Sequence, residues 1–249
     1  MSRYALIPAF PFDARVWAEA AEGLRAVGHE VLTPDVGGLG DSELPAVAPS
    51  VDVMAEQVAD FMDQAGWPSA HIAGISMGGY IAMAMLRLFP ERVEGLGLIC
   101  TKASMDSPSK RAERLQQADD MNSSALAVMA RAMAVALIAD DEPRSAQVQA
   151  WVSDQDPTAV AWSLRAMAAR PDSLGVLRTA GSRLAVVVAG QVDPMVTAAD
   201  VHQMAAALTD AGARPTVVTL AGVGHLAALE APAAVVDALL TLSRRPPSD

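Results

Sequence analysis

The sequence predicts an α/β fold with a mostly parallel sheet of about six strands and helices on both faces. Short apolar runs alternate with longer segments whose apolar residues recur at helical spacing, which is the pattern of strands joined by crossover helices. The chain has 249 residues, of which 52% are hydrophobic, and so has enough aliphatic material for one large core.

Four strands and three helices are predicted in the first part of the chain. The strands are short apolar runs bounded by turn residues, and the helices are longer runs with apolar residues on one face. Gly28 is suited to end the first helix, and Ser50 is placed to cap the second. In chain order the predicted elements are strand Tyr4–Ile7, helix Ala14–Val27, strand Glu30–Thr33, helix Val51–Ala65, strand His71–Ser76, helix Gly78–Phe89 and strand Val93–Thr101.

The alternation of strands and helices stops after the fourth strand. From Ser104 to Arg178 the sequence contains only segments of helical character, and its breaks predict three or four helices. The breaks lie near Asn122, Pro143 and Pro157. A helical insertion between parallel strands is a candidate lid, because open α/β sheets bind their ligands at the carboxyl ends of the strands.

The alternation then resumes and continues almost to the end of the chain. The predicted elements are strand Leu184–Ala189, helix Thr197–Ala211, strand Thr216–Leu220 and helix Leu226–Ser243, followed by a frayed tail over Arg244–Asp249. The sequence therefore predicts a core formed by residues 1–103 and 179–249, interrupted by a helical lid over residues 104–178.

The strongest local signal is the pattern G-x-S-x-G at Gly74, Ser76 and Gly78, where the third predicted strand runs directly into a helix. A serine on such a tight turn stands above the sheet edge, next to the positive end of the following helix. The flanking glycines let the strand and the helix approach closely. We therefore predict that Ser76 is a nucleophile and that the Met77 amide points towards an oxyanion.

A serine hydroxyl needs a general base, and the sequence contains four histidines. His29 and His71 lie at the starts of predicted strands, and His202 falls inside a predicted helix. His225 follows the last predicted strand in a glycine-bearing loop, at the sheet edge where Ser76 is expected. We therefore predict that His225 is the base.

The histidine in turn needs a carboxylate to fix its tautomer and orient its ring. Asp193 follows the strand that precedes His225's strand, and it completes the chain order Ser…Asp…His. We predict that Asp193 is this acid, with Asp106 as the alternative. Asp35 also ends a strand, but it is predicted to brace a loop.

Further residues are candidates for contact with the substrate. The second oxyanion donor is expected in the loop after the first strand, and counting into that loop places it at Phe10. Trp151 and Trp162 are candidate pocket residues, although their spacing is more typical of core positions. One arginine of the predicted lid could anchor a substrate carboxylate. The arginines are Arg111, Arg114, Arg131, Arg165 and Arg170.

With these residues in place, the chain resembles the α/β-hydrolase superfamily, and within it the 3-oxoadipate enol-lactonase-like and small esterase branch. The resemblance covers nearly the whole chain. It rests on Phe10–Asp13 with Trp17, Ala73–Tyr80, Phe89–Val93, Gly190–Pro194 and Gly222–His225. It implies the α/β-hydrolase fold with a helical lid, and it places the family's site residues at the five positions already named, Phe10, Ser76, Met77, Asp193 and His225.

Two loops depart from the usual pattern of this family. Pro8-Ala9 stands where His-Gly is usual before the oxyanion residue, and the loop from Val36 to Gly40 replaces an Arg-Gly-His-Gly loop. Neither departure removes a predicted catalytic side chain. Both change loops beside the predicted site, and so they bear on the substrate.

The predicted function is that of a serine hydrolase, which cleaves a small carboxylic ester, lactone or thioester through an acyl-enzyme on Ser76. The same triad serves carbon–carbon bond hydrolases and cofactor-free perhydrolases, and these remain alternatives. A third alternative is a small-molecule receptor of this fold with vestigial activity. The prediction includes no cofactor and no metal. A homo-oligomer is left open.

The bulk properties restrict the other partners and the compartment. A formal net charge of −11 predicts that neither nucleic acid nor a membrane surface is a partner. The single cysteine, Cys100, lies in an apolar run and is predicted to be a buried strand residue. The amino-terminal residues do not resemble a secretory signal, and a cytoplasmic location is therefore expected.

Overall fold

The computed structural model describes residues 1–139 and 142–243, and it contains a single six-stranded sheet in which every strand pairing is parallel. The strands are β1 (Arg3–Ile7), β2 (Glu30–Leu32), β3 (Ala70–Ile75), β4 (Val93–Ile99), β5 (Leu184–Gly190) and β6 (Thr216–Leu220). Their order in the sheet is β2-β1-β3-β4-β5-β6. The predicted α/β architecture and the number of strands are confirmed.

Eleven α-helices are found among the described residues. They are α1 (Ala18–Ala26), α2 (Val51–Gln64), α3 (Met77–Leu88), α4 (Pro108–Asp119), α5 (Ser123–Ala136), α6 (Glu142–Ser153), α7 (Pro157–Ala169), α8 (Leu174–Leu177), α9 (Ala198–Asp210), α10 (Ala227–Glu230) and α11 (Pro232–Leu240). Helix α1 packs against α11, and α3 packs against α2 and α8, so that helices cover both faces of the sheet. The central strand β3 is buried along its whole length, as expected for a parallel sheet covered on both sides.

Helix starts are well explained by local sequence. The Ser50 hydroxyl accepts a hydrogen bond from the Asp52 amide at the start of α2, as predicted. Asn122 caps α5 in the same way, and Asp156 caps α7. Thr197 and Asp200 form a reciprocal capping box at the start of α9. These side chains satisfy amides that have no partner within their own helix.

The segment between β4 and β5 contains helices α4–α8 and no strand among its described residues. The prediction of three or four helices was therefore too low. Pro171 follows directly after α7, and a further one-turn helix, Leu174–Leu177, forms before the chain enters β5. This short helix packs against α3 and α9, and it therefore lies against the sheet-bound helices.

The prediction of one continuous helix over Leu226–Ser243 was wrong. Pro232 interrupts it, because proline has no amide hydrogen and disfavours helical backbone in the residue before it. Ala231 accordingly leaves the helical region, with φ −140° and ψ 57°, between α10 and α11. The predicted tail over Arg244–Asp249 lies outside the described residues.

None of the helices within residues 1–139 and 142–243 combines the length and the apolar character that crossing a bilayer requires.

Cys100 is buried in the turn that follows β4, with its Sγ atom 3.8 Å from the carbonyl oxygen of Gly224. Burial raises the pKa of the Cys100 thiol to about 12, so that almost no thiolate is present at neutral pH. We expect Ellman's reagent to leave this thiol unmodified in the native protein and to modify it after unfolding in guanidinium chloride. Rapid reaction of the native protein would contradict the buried position.

Candidate active site

Ser76 lies in the sharp turn between β3 and α3, with a backbone conformation of φ 54° and ψ −113°. Such a conformation is rare for residues other than glycine, and the surrounding structure must hold it in place. The Ser76 amide donates to the carbonyl of Ile99 at 2.9 Å, and the hydroxyl of Thr101 donates to the carbonyl of Ser76 at 2.7 Å. The end of β4 therefore fixes this turn.

The glycines of the turn are required by close backbone contacts. A Cβ atom on Gly74 would lie 2.0 Å from the carbonyl carbon of Gly78, and a Cβ atom on Gly78 would lie 2.2 Å from the carbonyl oxygen of Ile7. Both distances are far below van der Waals contact. Any side chain at these positions would therefore push α3 away from β1 and β3, and would displace Ser76.

The structure brings Ser76, Asp193 and His225 together above the carboxyl edge of the sheet. Nε2 of His225 lies 2.8 Å from Oγ of Ser76, and Nδ1 lies 2.9 and 2.8 Å from the two carboxylate oxygens of Asp193. A carboxylate only accepts hydrogen bonds, so Nδ1 carries the hydrogen and donates it. Nε2 is then free to accept the hydrogen of the serine hydroxyl.

Asp193 is held by its own turn. Its Oδ1 atom accepts hydrogen bonds from the amides of Met195 and Val196, and its side chain is 0% exposed. The ring of His225 is only 4% exposed. The pair is therefore shielded from water, which strengthens the interaction between the imidazole and the carboxylate.

The loop that carries His225 is braced by a residue that the sequence did not single out. The carboxylate of Glu230 accepts hydrogen bonds from the amides of Gly224 and Leu226, which flank His225. It also accepts one from the amide of Ala139, shortly after α5. The His225 amide itself donates to the carbonyl of Leu137 at 2.8 Å. The position of the imidazole is thus tied to the end of α5.

The two predicted oxyanion donors lie on the expected elements. Met77 is the first residue of α3, where helix amides have no partner within the helix. Phe10 follows β1 and lines the same cavity as Ser76 and His225. Within the described residues, the amide of Phe10 has no hydrogen-bond acceptor. Both residues therefore lie beside the serine turn, and their role as oxyanion donors stays a prediction.

The other acidic candidates have different roles. Asp35 accepts hydrogen bonds from the amides of Ala14 and Asp41, and so braces a loop as predicted. Asp106, the alternative acid, is ion-paired with Arg114 and Arg170. The carboxylate beside His225 is that of Asp193, which leaves Asp106 to organise the arginines.

A cavity of about 60 Å³ lies at Ser76 and His225, and it opens into a groove of about 770 Å³ between α4 and α5. The groove is mainly apolar and is rich in methionine. The residues that line both spaces are Phe10, Lys110, Arg114, Met133, Leu137 and Met195. The groove therefore leads directly to the serine.

The family model described as alpha/beta hydrolase fold matches residues 6–127 of the chain. The structure of a thermophilic esterase from Thermogutta terrifontis, with malate bound, superimposes with a TM-score of 0.89 and 27% identity, over 96% of this chain and 88% of that one. An enol-lactonase from Burkholderia xenovorans LB400 superimposes with a TM-score of 0.86 and 23% identity, over 98% and 92% of the two chains.

The chain has the α/β-hydrolase fold. Sequence similarity to curated proteins is confined to shorter segments. RutD of Azorhizobium caulinodans, which is provisionally named as a carbamate hydrolase, is 35% identical over 98 residues. That segment is 39% of this chain and spans only 37% of the length of that relative.

Among the predicted pocket residues, only some reach the cavity. Trp162 is buried and donates its Nε1 hydrogen to the carbonyl of Val47, and Trp151 packs against Arg15. Neither tryptophan lines the space around Ser76. Their positions agree with the alternative expectation, that the two tryptophans belong to the packed interior and not to the pocket.

The five predicted arginines also differ in position. Arg111 and Arg131 are exposed, and Arg165 is paired with Asp119 at the surface. Arg170 is buried and stacks on the ring of Tyr80 at 4.0 Å. Arg114 is the one of the five that lines the cavity around the serine.

Two arginines share one buried carboxylate beside this cavity. Nε of Arg114 lies 2.7 Å from Oδ2 of Asp106, and Nη1 of Arg170 lies 2.8 Å from the same atom. Burial by itself raises the pKa of Asp106, but the hydrogen bonds and charges of Arg170 and Arg114 outweigh it and hold the pKa below its ordinary value. Asp106 is therefore ionised at neutral pH.

The sequence did not single out Lys102 as a site residue, although its position was informative. It follows β4 at the carboxyl edge of the sheet, where ligand sites of such folds lie, and it lines the cavity. Tyr80, on the first turn of α3, was also missed, and so was Met167 on α7. No local signal in the sequence marks Met167 as a cavity residue.

Proposed function

We propose that this protein is a serine hydrolase that cleaves a small carboxylic ester, lactone or thioester through an acyl-enzyme on Ser76. The observation that carries the proposal is the 2.8 Å separation between Oγ of Ser76 and Nε2 of His225, with Asp193 on the opposite side of the ring. This arrangement lets the imidazole take the hydroxyl proton as the oxygen attacks a carbonyl carbon.

In the first step, Oγ of Ser76 forms a bond to the carbonyl carbon while its proton passes to Nε2 of His225. The carbonyl oxygen becomes an oxyanion, which accepts hydrogen bonds from the amides of Phe10 and Met77. Collapse of this intermediate breaks the bond to the leaving group, which takes the proton from His225. Each oxyanion donor is expected to contribute on the order of 3 kcal/mol to transition-state stabilisation.

In the second step, water replaces the leaving group. His225 takes one proton from the water as its oxygen bonds to the acyl carbon, and the second oxyanion again lies at the two amides. Oγ of Ser76 then departs with the proton from His225, and the carboxylic acid is released. The carboxylate of Asp193 stabilises the imidazolium in both steps.

In this proposal residues 104–178 form the lid, chiefly through helices α4–α7, and residues 1–103 and 179–249 form the core. Support comes from the groove between α4 and α5, which ends at the serine. A lid that covers the carboxyl edge keeps bulk water away from the reacting atoms and sets the shape of the substrate site. A cytoplasmic location remains the expectation from the sequence.

Reaction with a fluorophosphonate probe tests the proposal directly. The probe phosphonylates only a serine activated by a base, so mass spectrometry of the digested protein should find the label on the peptide that contains Ser76. A carbon–carbon bond hydrolase or a perhydrolase would also be labelled, and turnover of alkyl esters distinguishes those from an esterase. Absence of label on the folded protein would favour a receptor with vestigial activity and would remove the proposal.

Replacement of Glu230 by alanine is expected to lower kcat by about 10- to 100-fold while KM changes little, because three amides lose their acceptor and His225 loses its alignment. Glutamine at the same position keeps one acceptor oxygen and should recover most of the rate. Ester turnover by the two variants, with circular dichroism as the control for folding, checks this prediction. If both variants turned over the ester at the native rate, Glu230 would not position the base.

A further inference from the structure

The cavity around Ser76 has a charge opposite to that of the whole chain. The chain has 18 lysines and arginines against 29 aspartates and glutamates, yet the charged residues that line this cavity are Lys102, Lys110 and Arg114. No carboxylate of the described residues lines it beside them. A local positive field in an otherwise acidic protein favours an anionic ligand at this place.

Arg114 is the buried member of these three cations. Its side chain is only 9% exposed, and its Nε atom is paired with Asp106. Its Nη1 atom meets only the sulfur of Met167, at 3.5 Å, which is a weak acceptor. Its Nη2 atom has no acceptor within the described part of the chain. A nearly buried guanidinium is thus left with unused donors next to the nucleophile.

Asp106 does not neutralise this arginine, because it is shared with Arg170. Both Asp106 and Arg170 have side chains that are 3% exposed, so the group holds two positive charges and one negative charge away from water. Arg170 has two further acceptors, because it also donates to the carbonyls of Met167 and Ser104. The excess positive charge therefore faces the cavity through Arg114.

The two lysines differ in whether they already have a partner. Lys110 is already paired with Glu113 at 2.8 Å on the same helix. Lys102 is half-buried, and within the described part of the chain it has neither a hydrogen bond nor an ion pair. Lys102 has no partner within the described residues, and Arg114 has unused donors. Both line the cavity with Ser76, Lys102 from the segment after β4 and Arg114 from α4.

We propose that Lys102 and Arg114 form a subsite for a carboxylate of the substrate, so that the enzyme acts on short esters, lactones or thioesters bearing a carboxylate near the scissile carbonyl. A carboxylate matches the planar guanidinium edge and would offset the excess buried charge. This inference rests on the proposed hydrolysis at Ser76.

The test compares matched substrates that differ only in charge. One pair is monomethyl glutarate and the neutral amide made from its free carboxyl group, which places the charge on the acyl side. The other pair is acetoxyacetate and acetoxyacetamide, which places it on the alcohol side. We expect kcat/KM for the anionic member of at least one pair to exceed that of the neutral member by about tenfold or more, as one charge-assisted hydrogen bond predicts.

The Arg114→Gln and Lys102→Gln variants should each reduce the ratio of kcat/KM for the anionic member to kcat/KM for the neutral member towards unity. Arg165→Gln is the matched control, because Arg165 pairs with Asp119 at the surface and does not line the cavity. It should keep the full preference. Equal rates for both members of both pairs, or a preference that survives in the two cavity variants, would overturn the subsite.

Binding without turnover separates this inference from the proposed function. The Ser76→Ala variant should bind glutarate, and should bind its neutral diamide at least about tenfold more weakly, by calorimetry. If the native protein cleaves neutral esters but the variant binds both compounds equally weakly, the subsite is wrong and the hydrolase stands. If glutarate binds selectively but no ester is cleaved and no serine is labelled, the hydrolase is wrong. Should Arg114→Gln fail to fold, Lys102→Gln and the binding experiment decide the matter.

Discussion

Replacing Ser76 with alanine is expected to lower kcat by roughly 10⁵-fold or more, because in the proposed mechanism this change removes the atom that forms the acyl-enzyme. Asp193 and His225 do not compensate, since they act only through the serine oxygen. The residual rate reflects the oxyanion amides and substrate binding. Turnover of a short alkyl ester in a pH-stat measures the effect, and the melting temperature shows that the fold is intact.

Ser163 provides a matched control for this prediction. It lies on α7, is completely buried, and its hydroxyl has no hydrogen-bond partner within the described residues. Ser163→Ala removes the same atom from a place without a role in the reaction, so kcat should stay within about twofold, and stability should hold or rise slightly. A Ser76→Ala protein that keeps more than about 1% of the native rate would contradict the nucleophile assignment.

Gly78→Ala is expected to destabilise the protein by at least about 3 kcal/mol and to abolish activity in whatever fraction still folds. The new Cβ atom would lie 2.2 Å from the carbonyl oxygen of Ile7 and 2.8 Å from that of Pro8. Both atoms belong to the backbone, so no side-chain rotation relieves the clash. The displacement would reach β1 and the adjoining loop that carries Phe10.

The midpoint of urea unfolding measures this effect, and Gly175→Ala is the control. Gly175 lies in the short helix α8, and a Cβ atom placed there meets nothing within 4 Å. Alanine at that position should be neutral or should stabilise by up to about 1 kcal/mol, because glycine is the weaker helix former. Equal unfolding midpoints for the two variants would mean that the turn around Ser76 tolerates a side chain.

The sheet was predictable because its strands differ sharply in composition from their surroundings. β6 was predicted with the boundaries that the structure shows, since Thr216–Leu220 is a short β-branched run between turn residues. The last helix was not, because the apolar spacing continues across Pro232 and hides the break. Periodicity reports which face is buried, and a single proline decides where the backbone can remain helical.

The site was predictable where chain topology alone brings residues together. Ser76, Asp193 and His225 each follow a parallel strand, so their shared edge of the sheet is fixed once the strands are recognised. Glu230 acts through amides as distant as that of Ala139, and nothing local in the sequence marks that contact. The pairing of Asp106 with Arg170 depends likewise on how α7 packs, which spacing along the chain does not reveal.

The hydrogen bonds between the His225 loop and the end of α5 link the width of the groove to the position of the His225 imidazole. Leu137 lines the groove, and its carbonyl accepts a hydrogen bond from the His225 amide. Two residues further on, the amide of Ala139 donates to the carboxylate of Glu230. If α5 swings outward to widen the groove, it must either carry the imidazole with it or leave these partners unsatisfied. An outward movement of α5 that widened the groove would therefore also disturb the alignment of the His225 imidazole with Ser76.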